Sequence, residues 1–183
     1  RFKINSMEEV FSGCTELTSI DFSNFESENL NNISSMFKEC TKLNAIELPN
    51  FKSNKIKDIS NLFNNCNQLT KIKNLNVLDT KNVINMKNTF KNCKSLTSID
   101  LSNFNTQKVE DLSYLFSGCE SLRALDLQNV ITENVLDISY MFSQCESLTS
   151  LSLKNFKTSK VKSMENLFYK CSLLASIELS SFN

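Results

Sequence analysis

Apolar residues in this chain come in short bursts that keep returning. In the stretch from Tyr114 to Leu127, YLFSGCESLRALDL, they stand at Leu115, Phe116, Cys119, Leu122, Leu125 and Leu127. Steps of three lead from Phe116 to Leu125, and a step of two follows to Leu127. A step of two marks a strand, whose side chains alternate between faces. The same burst surrounds all seven cysteines. Three residues before the cysteine stands Phe11, Phe37, Phe63, Phe90, Phe116, Phe142 or Phe168, and three after it Leu17, Leu43, Leu69, Leu96, Leu122, Leu148 or Leu174. Six after it comes Ile20, Ile46, Ile72, Ile99, Leu125, Leu151 or Ile177. Eight after it comes Phe22, Leu48, Leu101, Leu127, Leu153 or Leu179, with the third copy displaced to Leu75.

The cysteines are spaced 26, 26, 27, 26, 26 and 26 residues apart. A fixed period of this size is the signature of a stacked array in which each unit contacts only its neighbours. The pattern predicts one solenoid of seven repeats over residues 1–183, with a one-residue insertion in the third repeat near 73–78. The chain is expected to be a segment of a longer array.

Each unit predicts one short parallel strand and one short helix. Pro49, nine after Cys40, lacks a ladder N–H and sets the strand's far limit. The following segment changes period: Leu112, Leu115 and Phe116 are spaced i, i+3, i+4, as on one helix face. It is preceded by Ser6, Asn32, Asp58, Asn85, Asp111, Asp137 or Ser163, all good N-cap residues. The column just before the cysteine holds Gly13, Asn65, Asn92 and Gly118, which tolerate the left-handed conformation that often ends a helix. Strands stack about 4.8 Å apart, while packed helices prefer about 8–10 Å. A helix-lined side would then be the longer one, so a curved right-handed coil is expected, with strands on the inner face.

Charge and composition narrow the chemistry. Lys plus Arg and Asp plus Glu number 20 each, so no excess points to nucleic acid or an anionic membrane. No apolar run approaches the ~20 residues of a membrane span, and no membrane insertion is expected of this segment. There is no His and no Trp, one Pro and two Gly.

The unit MFxxCxxLxxLxLxNFxTxxVxxM resembles the BspA-like leucine-rich repeat family. MFSQCESLTSLSLKNFKTSKVKSM, Met141 to Met164, carries nearly the whole motif, and the resemblance spans all seven units, most weakly in the third. It implies a leucine-rich-repeat solenoid and a cell-surface or secreted protein that binds host matrix, other cells or other proteins. It supplies no catalytic residue.

Cys14, Cys40, Cys66, Cys93, Cys119, Cys145 and Cys171 are read first as a buried structural ladder, since free Cys behaves as a small apolar side chain. Disulfides are the first rival, because equivalent columns about 4.8 Å apart fall within bridging range. Against them, stacked side chains run parallel and seven is an odd number. Metal binding ranks last: there is no CxxC and no His, and a straight row offers no tetrahedral enclosure. A catalytic thiol lacks its usual His partner. No catalytic residue, cofactor or metal is expected.

The outward strand columns hold the candidate partner-binding residues. Five, seven and nine positions after the cysteine the side chains should face out, the last column being small or polar: Ser23, Pro49, Ser102, Gln128, Lys154 and Ser180. The first of these columns is mostly small. The second holds Asp21, Glu47, Asp100, Asp126 and Glu178, interrupted by Lys73 and Ser152. The acidic stripe reads either as a solvated face that resists sticking or as a contact for a basic protein surface or a cation. Asn24, Asn50, Asn76, Asn103, Asn129 and Asn155, with Ser181 last, form a further column expected to satisfy backbone groups after the strand. Asn32-Ile33-Ser34 is the one N-glycosylation pattern.

Together these readings predict a non-enzymatic, adhesin-like recognition module whose strand face contacts a host or cell-surface protein. The alternative is a structural spacer in a surface protein, and the remote one a carbohydrate-active enzyme using two strand carboxylates. Ile4, Met7 and Phe11 at one end, and Leu174, Ile177 and Phe182 at the other, have no visible cap. Flanking sequence or end-to-end self-association is expected there.

Overall fold

Ser6 bridges in parallel to Asn32, Asn32 to Asp58, Asp58 to Asn85, Asn85 to Asp111, Asp111 to Asp137 and Asp137 to Ser163. Each partner lies one repeat further along, so equivalent residues of successive coils lie over one another. The computed structural model describes residues 4–25, 27–51 and 53–182. Within them the phenylalanine column forms an unbroken stack from Phe11 to Phe168. Neighbouring ring centroids lie 5.4 to 6.0 Å apart, with planes within 12° of parallel. Leu43, Leu69, Leu96, Leu122 and Leu148 are buried beside them, as are Cys40, Cys66, Cys93, Cys119 and Cys145. The interior thus contains continuous rows of phenylalanine, leucine and cysteine.

The strand prediction holds over part of the array. Strand β1 (Ala45–Glu47) pairs in parallel with β2 (Lys71–Lys73), and β3 (Ser150–Ser152) pairs with β4 (Ser176–Glu178). Ile46 faces Ile72 and Leu151 faces Ile177 in register. Their flanking residues are exposed, as the alternation requires. Both named pairs set a carboxylate beside a cation or a hydroxyl, Glu47 against Lys73 and Ser152 against Glu178. Among the described residues the other coil boundaries form no named strand pair, whether Asp100 would face Lys73 or Asp126. After β2 the chain takes a 3-10 turn, Leu75–Val77, entered through Asn74 at φ 59°.

The short helix is not there. Among the described residues there is no α-helix; the segment expected to be helical is a run of tight turns. In the first coil the Val10, Ser12 and Cys14 amides donate to the carbonyls of Met7, Glu9 and Phe11, three residues back. The alternate amides of Met7, Glu9, Phe11 and Gly13 donate across to Asn32, Ser34, Met36 and Lys38 of the next coil. Glu9 and Gly13 have φ of 57° and 74°, and both columns keep positive φ along the chain. An α-helix needs negative φ at every residue, so a left-handed residue every fourth position excludes it. The reason lies in the spacing. Helices need about 8–10 Å between axes, whereas these coils stack at 5.4 to 6.0 Å even on the phenylalanine side. A turn run fits that distance and sends half its amides to the neighbouring coil. The i, i+3, i+4 pattern was real, because three-residue turns also return side chains to one side. Without the helix, the length mismatch on which a curved array was expected shrinks to that between about 4.8 Å on the strand side and 5.4 to 6.0 Å on the phenylalanine side.

Candidate functional site: thiol ladder and strand face

The cysteine column is a row of hydrogen-bond donors. The Cys66 thiol donates to the Phe37 carbonyl one coil back, at 3.0 Å, and the same oxygen accepts the Cys40 amide at 3.1 Å. Cys40, Cys93, Cys119, Cys145 and Cys171 repeat this with Phe11, Phe63, Phe90, Phe116 and Phe142, at 3.0 to 3.3 Å. All seven cysteines are free. Burial, before any other cause, pushes the Cys40 thiol up to about 11 and Cys119 to about 12. It raises Cys66, Cys93 and Cys145 as well. From Cys40 to Cys171, therefore, each thiol ties its coil to the one before it. Cys14 is exposed.

The capping column also works without a helix. The side-chain oxygens of Asn32, Asp58, Asn85, Asp111 and Asp137 accept the amide two residues on, at 2.7 to 3.0 Å. This is an Asx turn, in which a short side chain stands in for a backbone acceptor. The asparagine column after the strand behaves as expected: Asn103, Asn129 and Asn155 donate to the carbonyls of Asn76, Ser102 and Gln128 of the preceding coil.

All five candidate partner-binding carboxylates are exposed, and all have partners within the chain. Asp21, Asp100 and Asp126 accept the backbone amides of Ser23, Ser102 and Gln128 at 2.8 to 3.0 Å. Hydrogen bonds from Ser23 hold the Asp21 carboxyl below the usual range, and those from Ser102 do the same for Asp100. Glu47 lies 3.6 Å from the Lys73 ammonium and accepts from Asn74. Glu178 accepts from the Ser152 hydroxyl. The two interruptions of the stripe, Lys73 and Ser152, are thus the residues that satisfy its neighbours. Above this surface runs an open trough of about 730 Å³, lined by Ala124, Asp126, Ser150, Ser152, Ser176 and Glu178 among others.

Two features carry no distinctive composition in the sequence. The threonine of the repeat motif is buried and spans coils: Thr80 and Thr106 each accept an amide and donate to a carbonyl of one residue in the next coil, Asn105 and Ile131 respectively. Its regular place in NFxT was the available signal. On the turn side, the Tyr114 and Tyr140 rings stack at 4.6 Å and 3°. The Lys91 ammonium lies 4.5 Å from the Tyr114 ring centroid. The N-glycosylation pattern is engaged internally: Asn32 donates to Glu8, and the Ser34 hydroxyl, almost fully buried, does too.

The stacked rows end in a sequence family. The profile of a family described as "Mycoplasma protein of unknown function, DUF285" matches residues 2–98 and again 67–182. The chain belongs to the DUF285 family. Its repeat is of the BspA-like leucine-rich type that the 26-residue motif indicates. No curated protein matches this DUF285 chain. Among solved structures, a leucine-rich repeat protein from T. pallidum is 21% identical. That alignment covers 86% of this chain and 70% of the other, with a TM-score of 0.56, and it shows the leucine-rich-repeat fold. A leucine-rich repeat protein from Bacteroides ovatus is 20% identical, covering 88% of this chain and 45% of its own, with a TM-score of 0.44. A leucine-rich cell surface protein from Faecalibacterium prausnitzii is 15% identical, covering 96% and 68%, with a TM-score of 0.31. Among the described residues no helix is long and apolar enough to cross a membrane, and no cluster of His, Cys, Asp or Glu is placed to hold a metal.

Proposed function

We propose that this chain is a non-enzymatic protein-interaction module of a surface or secreted protein, with its strand side as the contact surface. One observation carries the reading: the trough lined by Ala124, Ser150 and Ser176 is also lined by Asp126 and Glu178, each held by a hydrogen bond within the chain. A carboxylate already oriented by its neighbours loses little freedom when a partner cation reaches it. The surface column would then suit an adhesin-like contact with a basic protein segment.

The spacer reading has its own support. Asp21, Asp100 and Asp126 each cap a turn, so the acidic column is accounted for without any ligand.

Asparagine substitution separates the two. Asp100→Asn and Asp126→Asn keep the oxygen that caps the turn and remove only the charge. The probe is a panel of lysine-rich peptides and immobilised matrix proteins, titrated at low and high salt. Recognition by this face predicts binding that the double substitution weakens at least tenfold with unchanged stability. Equal binding by both forms would assign the column to the spacer role.

A further inference from the structure

Between the strand and the turn run, each coil crosses the array in an extended segment, and on that face one column alternates strictly. The residues eleven before the cysteines from Cys40 to Cys171 are Asn29, Lys55, Asn82, Lys108, Asn134 and Lys160. The backbone beside them pairs from coil to coil. The Ile84, Glu110, Leu136 and Lys162 amides donate to the carbonyls of Lys57, Ile84, Glu110 and Leu136 at 2.7 to 2.9 Å. Pairing of this kind sets neighbouring coils about 4.8 Å apart, so the ammonium groups of the column recur about every 10 Å.

The asparagines hold these ammonium groups without cancelling their charge. Lys55, Lys108 and Lys160 donate to the side-chain oxygens of Asn29, Asn82 and Asn134 one coil back, at 2.6 to 2.9 Å. Asn82 and Asn134 are themselves fixed, since they donate to the carbonyls of Asn54 and Gln107. Four other lysines that reach a neighbouring coil meet carboxylates there: Lys42 meets Glu16, Lys73 Glu47, Lys94 Glu120 and Lys157 Glu133. Among the described residues no carboxylate lies within ion-pair distance of Lys55, Lys108 or Lys160. An ammonium carries three donors, so each of the three keeps donors and its full charge for a ligand. Lys108, Asn134 and Lys160, on three successive coils, line one groove of about 420 Å³ together with Ile84, Leu136 and Glu110. Ile84 is 44% exposed there.

We propose that this face binds an extended polysaccharide in which acidic and neutral sugars alternate. One sugar unit of such a chain is about as long as one coil spacing, ~4.8 Å. Each acidic sugar then meets an ammonium. Each neutral sugar meets an asparagine, whose amide suits hydroxyl groups. Ile84 and Leu136 take the apolar faces of the rings. Duplex nucleic acid carries a charge about every 1.7 Å of its axis, far denser than this comb. Glu110 disfavours any polymer charged at every unit. The groove shares no residue with the strand-side trough, so this binding is independent of whether the strand side holds a protein.

The test is a binding titration of the folded chain with hyaluronan oligosaccharides, in which glucuronate alternates with a neutral amino sugar. Neutral cellohexaose, a single-stranded oligonucleotide and phosphatidylserine vesicles serve as comparisons. One variant combines Lys55→Gln, Lys108→Gln and Lys160→Gln, which keep a donor for each asparagine and remove the charge. A second combines Lys42→Gln and Lys94→Gln, at lysines already paired with carboxylates. Circular dichroism checks that both stay folded. At low salt the parent chain should bind the decasaccharide, and the tetrasaccharide at least tenfold more weakly, since the shorter chain cannot reach all three ammonium groups. The triple variant should lose at least tenfold in affinity for the decasaccharide, and the double variant should match the parent. A parent chain that leaves the decasaccharide unbound would overturn the proposal, as would an equal loss in both variants. Oligonucleotide or vesicles bound as tightly as the decasaccharide, and lost equally in the triple variant, would reassign the face to another polyanion.

Discussion

The Cys119 thiol donates at 3.2 Å to the Phe90 carbonyl, the same oxygen that accepts the Cys93 amide at 3.1 Å. One carbonyl therefore closes a turn within its own coil and holds the next coil. Base should release this link. Below the ordinary thiol value of 9.0 both folded and unfolded chains are protonated, and the stabilisation is complete. As pH rises further the unfolded chain ionises first. The folded thiols resist up to about 11 at Cys40 and about 12 at Cys119. Stability is lost across that window, at about 1.4 kcal/mol per pH unit for each fully buried thiol. Cys93→Ala should lower stability near neutral pH by about 1–2 kcal/mol and also lose less between about pH 8.5 and 10.5. Urea midpoints across that range provide the comparison; equal slopes for parent and variant would remove the thiols from the account.

Gly13 and Gly118 share one column and one conformation, φ 74°, yet their surroundings differ. A Cβ on Gly13 meets nothing within 4 Å, whereas one on Gly118 would strike the Asn92 side-chain oxygen. Gly13→Ala should cost about 1 kcal/mol, from the left-handed backbone alone. Gly118→Ala should cost more, and Asn92→Ala in the same chain should recover the excess. Thermal unfolding of the four proteins separates strain from collision.

Tyr114 and Tyr140 hold φ of 58° and 57°, a conformation that disfavours bulky residues by roughly 1–2 kcal/mol. Asn61, Asn88 and Asn166 occupy the same column with the same sign of φ, and Asn tolerates it. The parallel stack of the two rings offsets this cost by about 0.5–1.5 kcal/mol. Tyr114→Asn should therefore be nearly neutral in the parent chain. In a Tyr140→Asn background, with no ring to stack on, it should stabilise by about 1 kcal/mol. A double-mutant cycle measures the coupling; zero coupling would mean that the stack contributes nothing.

Thr106 is 2% exposed, and its hydroxyl both accepts the Ile131 amide at 2.7 Å and donates to the Ile131 carbonyl at 2.8 Å. Thr106→Val keeps the shape and deprives both groups, so it should cost about 2 kcal/mol. Thr106→Ser keeps the hydroxyl and should cost less. Hydrogen exchange at the Ile131 amide should speed up in the valine variant and stay slow in the serine one.

Much of this protein is legible along the chain. The cysteine, phenylalanine and leucine columns announce stacked rows, and the structure has them at Phe11 through Phe168. The capping column was visible as acceptors for nearby amides, and Asp58 and Asp111 play that part. The helix was misread because a run of three-residue turns and an α-helix give nearly the same apolar spacing. The difference lies in where the Phe37 and Glu39 amides go, and their acceptors, Leu62 and Asn64, stand a whole repeat away. In the acidic column the sequence shows that Asp100 is charged, but not that one of its oxygens also accepts the Ser102 amide. Thr106 drew no notice because a buried hydroxyl and an exposed one are the same letter.

By itself the sequence determined which residues share a row, since a strict period leaves equivalent side chains only one way to stack. It also settled which positions must be buried, because the apolar columns cannot be covered any other way. Tertiary structure decided how far apart the coils lie, and with that whether the segment after the strand is helix or turn. The coils settle at 5.4 to 6.0 Å between phenylalanine rings, too close for helices. That distance is set by the stack as a whole, through amides and thiols reaching from one coil to the next, and no single repeat encodes it.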